Sequence, residues 1–467
     1  MSGIFGVVSK DLCAATLFYG VDYHSHLGTE YGGMAVLGEK FSRQIHSIAQ
    51  SQFKSKFFDD YHRMKGNKGI GVISDCDEQP IYLNCKFGAF CLVMTGLIEN
   101  KEALRDEMFK QGASFAEFRR DGINQSELVA KLISMGDNII DGINKMFERI
   151  EGSCSLLVLT AEGVYAARDR FGYTPLVIGR KKDSYAVATE SSALHNLGYN
   201  VERDMKSGEI VLLQENKMEV LNAGTDKMQI CSFLWIYTGF PASDYEGINA
   251  EMARERCGGA LAKHDKDIKA DFVTGVPDSG TAHAVGYSMH SGLPYRRPLI
   301  KYTPGYGRSY IPPDQTQRDL IANMKLVPNQ DIVNGKSVIV LDDSIVRGTQ
   351  LKNFAVKKLW NSGAKEVHVR PACPPLMFPC RFCLSTRTTG ELIARRAIRE
   401  IEGKDIEDVS EYLDPTTEKY KKMVEWIRKD MDVTTLRYQE IDDMVEAIGL
   451  PKEKLCLYCW NGQQPKV

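Results

Sequence analysis

S-V-I-V-L-D-D-S-I-V-R-G-T-Q, from Ser337 to Gln350, decides how the rest of the chain is read. Val338, Ile339, Val340 and Leu341 form an unbroken apolar run. Such a run between polar residues predicts a strand buried on both faces of a parallel sheet. Asp342 and Asp343 follow, then Ser344, Ile345, Val346, Arg347, Gly348 and Thr349, then a helical pattern from Leu351 to Leu359. A strand, a short polar loop and a helix start make an anion site at the carboxyl end of a sheet. The hydroxyls of Ser344 and Thr349 suit a phosphate, and Gly348 lets the backbone approach one closely. Two adjacent carboxylates repel a phosphate. They suit ribose hydroxyls, which donate hydrogen bonds, or Mg²⁺, which takes oxygen ligands. A sugar phosphate carrying a metal satisfies both halves of the loop.

A second strand-to-loop junction lies upstream. Phe272–Val276 reads as a buried strand that runs into Pro277-Asp278-Ser279-Gly280-Thr281, with a helix opening at Ala282. Alone, a Ser-Gly turn at a helix start is commonplace; its place in a strand–helix alternation ahead of the acidic pair gives it weight. Between the two loops, Lys301 to Lys325 is rich in Gly, Pro and Arg and poor in core-facing periodicity. It reads as a lid or as a solvated basic loop.

These motifs resemble the 5-phosphoribosyl-1-pyrophosphate (PRPP) loop and the pyrophosphate loop of type I phosphoribosyltransferases. The string D-D-S-I-V-R-G-T resembles one family among them, the glutamine PRPP amidotransferases. The resemblance implies an α/β transferase domain in which Asp342 and Asp343 hold ribose hydroxyls and Mg²⁺. It implies that Ser344–Thr349 cradle the 5-phosphate and Pro277–Thr281 the pyrophosphate. Arg308, Arg318 and Lys325 would neutralise the leaving diphosphate, Lys301 and Gln315 would also bind PRPP, and Ser309 would join the metal site.

The first 225 residues or so alternate short apolar runs with turns, including Gly3–Val8, Gly32–Leu37, Gly69–Ile73, Ala89–Met94 and Cys154–Leu159. Helical patterns sit between them at Lys101–Met108 and Glu127–Ser134. This predicts an α+β domain with antiparallel sheets. Its start, Met1-Ser2-Gly3-Ile4-Phe5-Gly6, resembles the glutamine amidotransferases of the N-terminal-nucleophile (αββα) class. So do Tyr165–Gly172 and Ala188–Leu194. In that class a cysteine thiolate attacks the glutamine amide. Here Ser2 holds the position, and a hydroxyl is a far weaker nucleophile at neutral pH. The family's glutamine-holding arginine string aligns with Gly69–Asp75, which has no arginine; its oxyanion turn aligns with Thr95-Gly96-Leu97, and its acidic amine-binding residue with Gln125. Losing one oxyanion donor costs about 10²–10³ in rate. The expectation is a catalytically inactive glutaminase half, the alternative a site repurposed for another amide.

The transferase half departs from the family on the acceptor side. Ser385 stands where an aspartate is usual, and Phe240 where an arginine is usual. Of the twelve cysteines, Cys456 and Cys459 form a Cys-x-x-Cys pair, a pattern shared by zinc sites, redox sites and chance. One branch of the family carries a [4Fe–4S] cluster, and its ligand positions match Cys231, Cys380, Cys456 and Cys459. Four thiolates suit such a cluster, with zinc the less favoured occupant. The remaining cysteines read as buried small apolar residues, with Cys383 a spare ligand.

At 467 residues the chain calls for two or three domains. The expected division is 1–228 (amidotransferase-like), 229–395 (phosphoribosyltransferase) and 396–467 (a helical extension). A net charge of −2 and 26% charged residues argue against general nucleic-acid or membrane binding. No apolar run reaches membrane-spanning length and the N-terminus has no signal pattern, so a cytoplasmic protein is expected; a homo-oligomer is the expected form. The expected function is transfer of the phosphoribosyl group of PRPP to ammonia or another amine, as in purine biosynthesis. The rival is a PRPP-binding regulator without turnover.

Overall fold

The computed structural model describes residues 2–119, 122–302, 326–383, 386 and 388–463. The chain forms two compact units. One comprises Met1–Cys231 with Ser243–Gly247 and Arg381–Leu384; the other comprises Ser232–Ala242, Ile248–Cys380 and Ser385–Val467.

In the first unit the opening strand Gly3–Ser9 lies inside a seven-stranded sheet, between Ser184–Ala188 and Lys68–Ser74. Alternation along it sorts its side chains. Phe5 and Val7 pack with Leu17, Phe18 and Val21 of the helix Ala14–Asp22 and with Phe53 and Phe57 of the helix Phe53–Arg63. Ile4 and Val8 turn the other way, onto Val93, Leu157, Leu159 and Val211 of a six-stranded sheet. The far face of that second sheet is covered by the helices Gln125–Ser134 and Ile139–Arg149, through Leu128, Ile133, Ile143 and Met146. The layers run helix, sheet, sheet, helix, the αββα arrangement expected from the sequence. Asn124 starts the first of these helices as a cap, accepting from the Ser126 and Glu127 N–H groups.

The second unit is built on a parallel sheet in the order Phe272–Gly275, Ser337–Asp342, Glu366–Pro371, Thr435–Leu436. Ser337–Asp342 is central and every residue in it is buried, which its unbroken apolar run dictates. The helices Ile393–Glu402 and Glu418–Met431 bury Ile393, Ala397, Met423 and Ile427 in the same core as Val338, Val340, Val367 and Val369. The last hundred residues therefore contribute both core and a fourth strand.

The apolar run that opens the transferase half departs from its composition. Ile230–Tyr237 reads as a strand, but only Ile230–Cys231 is extended, and Leu234–Thr238 is a single π-helical turn. The physical reason is a tertiary contact: the carbonyls of Trp235, Tyr237 and Gly239 accept from the buried Arg254 side chain, so no sheet ladder is needed to satisfy them. No helix among the described residues is long and apolar enough to cross a membrane.

Candidate active site

The acidic pair sits where the central strand of the second unit ends. Asp342 closes the strand and both carboxylates are buried. Ser279 Oγ donates to Asp342 Oδ1 at 2.6 Å, and the Asp343 N–H donates to the same oxygen at 3.0 Å. The Ser344 hydroxyl, expected to serve a phosphate, donates instead to the Asp343 carboxylate. Burial raises the pKa of Asp342 well above the carboxylate range, and the Asp343 charge adds to this. Burial also raises Asp343, against the pull of Ser344 and of the nearby Arg254 charge. Two buried, adjoining carboxylates with hard oxygen donors form a set that a divalent cation such as Mg²⁺ stabilises.

The Pro277–Thr281 loop is laid against the end of that strand. The Val276 N–H donates to Leu341 O at 2.9 Å, and the Gly280 N–H to Val276 O at 2.8 Å. A Cβ at Gly280 would stand 2.1 Å from Leu341 O, so only glycine permits this approach. The helix Thr281–Ser291 starts directly from the loop. Lys301 Nζ is 2.6 Å from Asp278 Oδ2 on the exposed side.

The loop after the acidic pair is held by its own neighbours. Ile345 is buried, Val346 O accepts from the Ile393 N–H at 2.8 Å, and Arg347 pairs with Glu391 at 3.0 Å. Gly348 has φ of +77°, a conformation that favours glycine. Thr349 follows where the chain turns helical. Arg308, Ser309, Gln315, Arg318, Lys325 and Ser385 lie outside the described residues.

In the first unit Ser2 is buried, and its carbonyl accepts from Thr95 Oγ1 at 2.6 Å. Gln125 is buried too: its Oε1 accepts from the Ile98 N–H at 3.2 Å, and its Nε2 lies 3.5 Å from Cys76 Sγ. Two features here carry no sequence signal. The His24 ring lies against Gly3, where an added Cβ would meet it at 2.5 Å; Nδ1 reaches Gly20 O at 2.7 Å, and Nε2 has no partner among the described residues. Burial lowers the His24 pKa to about 4, with the Glu190 charge pulling the other way. Buried Glu190 bonds His26 at 3.0 Å and Tyr245 at 2.5 Å.

Among the described residues no cysteine is joined in a disulfide. In the second unit the Met377 and Phe378 N–H groups donate to Cys459 O at 2.9 and 3.1 Å, which lays the segment before Cys380 along the terminal Cys-x-x-Cys. Among the described residues, no three His, Cys, Asp or Glu side chains stand together closely enough to hold a metal ion.

The two units, each with its own site, match a known whole. A Methanocaldococcus jannaschii amidophosphoribosyltransferase is 30% identical over 495 aligned residues, covering 100% of this chain and 98% of the relative. The chain belongs to the amidophosphoribosyltransferase family. The Methanothermobacter thermautotrophicus member is also 30% identical, over 99% of this chain and 94% of its own. The solved glutamine PRPP amidotransferase from B. subtilis, complexed with ADP and GMP, superposes with a TM-score of 0.85 at 29% identity, covering 99% of this chain and 97% of that one. A glutamine amidotransferase domain model matches residues 68–196. As an amidophosphoribosyltransferase family member the chain is a glycosyltransferase of the phosphoribosyltransferase class, with the glutaminase-type unit first and the transferase unit second.

Proposed function

We propose that the transferase unit binds Mg²⁺–PRPP and joins ammonia or another amine to C1 of the ribose, the reaction type of purine biosynthesis. The observation that carries this reading is the buried Asp342–Asp343 pair tied through Ser279 to the Pro277–Thr281 loop. Bound Mg²⁺, held by Asp342 and Asp343, would offset the charge of the diphosphate. The two aspartates accept from the ribose hydroxyls, the Ser344–Thr349 backbone receives the 5-phosphate, and the pyrophosphate loop orients the leaving group. By family resemblance Arg308, Arg318 and Lys325 neutralise the leaving diphosphate, Lys301 and Gln315 bind PRPP, and Ser309 joins the metal site. The amine nitrogen forms a bond to C1 as the C1–O bond to pyrophosphate breaks; the new ammonium then loses one proton to solvent. Isothermal titration of PRPP with Mg²⁺, and pyrophosphate release with ammonia as co-substrate, test it. PRPP binding without pyrophosphate release would favour the regulatory reading.

The glutaminase half is proposed to be silent. Ser2 replaces a thiol, Gly69–Asp75 carries no arginine, and the Thr95 hydroxyl and Gln125 amide are occupied by the protein itself. Cys231, Cys380, Cys456 and Cys459 are proposed as [4Fe–4S] ligands. This rests on the family resemblance and their soft donor chemistry; the backbone bonds to Cys459 bear only on the segment before Cys380. Iron, zinc and acid-labile sulfide in protein purified without oxygen decide it; metal-free protein of full stability rejects it. The division at residues 228 and 395 belongs to the same proposal.

A further inference from the structure

Arg254 and His283 are buried and belong to none of the motifs in the two loops. Arg254 lies on the helix Ala250–Lys263, and His283 is the third residue of the helix that the Pro277–Thr281 loop opens. The two helices run extremely close. A Cβ at Gly258 would stand 1.8 Å from His283 O, and one at Gly286 would stand 1.9 Å from Glu255 O. Close backbone approach sets the distance between helices but does not by itself fix how each is rotated; a directional bond does.

The His283 ring supplies such a bond. Nδ1 is 3.0 Å from Arg254 O, and Nε2 is 3.2 Å from Ile236 O. Both partners are acceptors, and a neutral imidazole has one hydrogen to give. Burial, helped by the Arg254 charge, lowers the His283 pKa to about 4, so the ring is neutral at pH 7. That hydrogen is assigned to Nδ1, the nearer of the two contacts. On the other side, the Arg254 guanidinium donates to Trp235 O at 2.9 Å, Tyr237 O at 3.0 Å and Gly239 O at 2.7 Å, and its charge acts on Asp343. Hydrogen bonds therefore tie the helix that the Pro277–Thr281 loop opens to Arg254, and Ser279 of that loop bonds Asp342.

We propose that His283 is a positioning residue: by donating from Nδ1 to the Arg254 carbonyl it fixes the first turn of its helix, and so holds the pyrophosphate loop in register with the Asp342–Asp343 pair. This rests on the transferase reading given above. It concerns the geometry of one half of the site, because the 5-phosphate loop follows a different strand and is held by Ile393 and Glu391.

The test measures two ligands separately in the full-length protein, each with Mg²⁺: inorganic pyrophosphate and ribose 5-phosphate. His283→Ala should weaken pyrophosphate binding about tenfold or more and leave ribose 5-phosphate within about twofold. His283→Asn, whose amide can donate from near the Nδ1 position, should restore pyrophosphate binding. His283→Gln, which donates from near the Nε2 position, should not. Equal loss of both ligands in His283→Ala, no loss of either, or rescue by Gln rather than Asn would each overturn the proposal. If His283→Ala does not fold, the Asn and Gln variants carry the comparison. Wild-type protein that binds neither ligand overturns the transferase reading itself, an outcome distinct from intact binding in every His283 variant.

Discussion

Ser279 donates its hydroxyl hydrogen to Asp342 Oδ1 across 2.6 Å, so the loop after one parallel strand is tied to the carboxylate that ends the next. The bond satisfies one oxygen of a carboxylate that burial and a neighbouring charge both oppose. The pair is thus destabilising in the free protein and suited to a cationic ligand, the usual trade between stability and function.

Asp342→Asn tests this. The raised pKa means that the folded chain retains protons which the unfolded chain releases above the ordinary carboxylate range. Stability is therefore lost as pH rises through that range toward the folded value. The asparagine oxygen can still accept from Ser279 and from the Asp343 N–H. The variant should gain roughly 1–2 kcal/mol at pH 7, seen by denaturant titration, and lose Mg²⁺-dependent PRPP binding.

Gly280→Ala should disrupt the Pro277–Thr281 loop. Its Cβ would stand 2.1 Å from Leu341 O, a backbone atom of a buried strand that cannot give way. A cost of about 1–3 kcal/mol is expected, with pyrophosphate affinity falling at least tenfold. Gly292→Ala is the control. Gly292 closes the same helix at φ +74° with open space around it. That change should cost about 1 kcal/mol through backbone strain and leave pyrophosphate affinity unchanged.

Acid should weaken the fold through its buried histidines. His24 and His283 each have a pKa lowered to about 4, chiefly by burial. Between the ordinary value near 6.5 and about 4, the unfolded chain takes up protons that the folded chain refuses. Stability therefore falls as pH falls through that window. One pKa unit corresponds to about 1.4 kcal/mol. Urea midpoints should drop between pH 7 and pH 5, and His24→Asn should flatten part of the slope. An unchanged slope in that variant would show that the His24 pKa does not differ between the folded and the unfolded chain.

Arg370 and Asp265 form a buried ion pair within the transferase unit, and Asp265 also accepts from Tyr287 at 2.9 Å and pairs with Arg437 at 2.7 Å. Burial opposes the Asp265 charge, yet these partners, Arg370 foremost, hold its pKa below the usual range. Arg370→Ala would leave a buried carboxylate short of its main partner. The expected cost is about 3–5 kcal/mol, with recovery by second-site Asp265→Asn as the check on mechanism.

Glutamine should not replace ammonia as nitrogen donor. With Ser2, Thr95 and Gln125 in the positions found here, glutamate release should be indistinguishable from background. Turnover with glutamine at a rate matching ammonia would sink the silent-glutaminase reading.

Much of this molecule was legible in one dimension. The run Val338–Leu341 specified a strand buried on both faces, because a half-exposed strand would alternate. Asp342, Asp343 and Gly348 then announced a site that mixes carboxylates with a close backbone turn. The apolar run Gly3–Val8 was equally readable as a strand, while the fold decides which of its side chains face the helices and which the second sheet. What the string of residues left open were contacts between distant positions. Ile230–Tyr237 has the composition of a strand, and only the folded chain brings Arg254 onto its carbonyls and turns it into a π-helical bend. His283 reads as one more residue on a helix, and only the packing of two helices places its ring on the Arg254 carbonyl. Local sequence fixes periodicity and backbone preference. Which buried polar group finds which partner across tens of residues is decided by how close the elements pack, and that is a property of the tertiary structure alone.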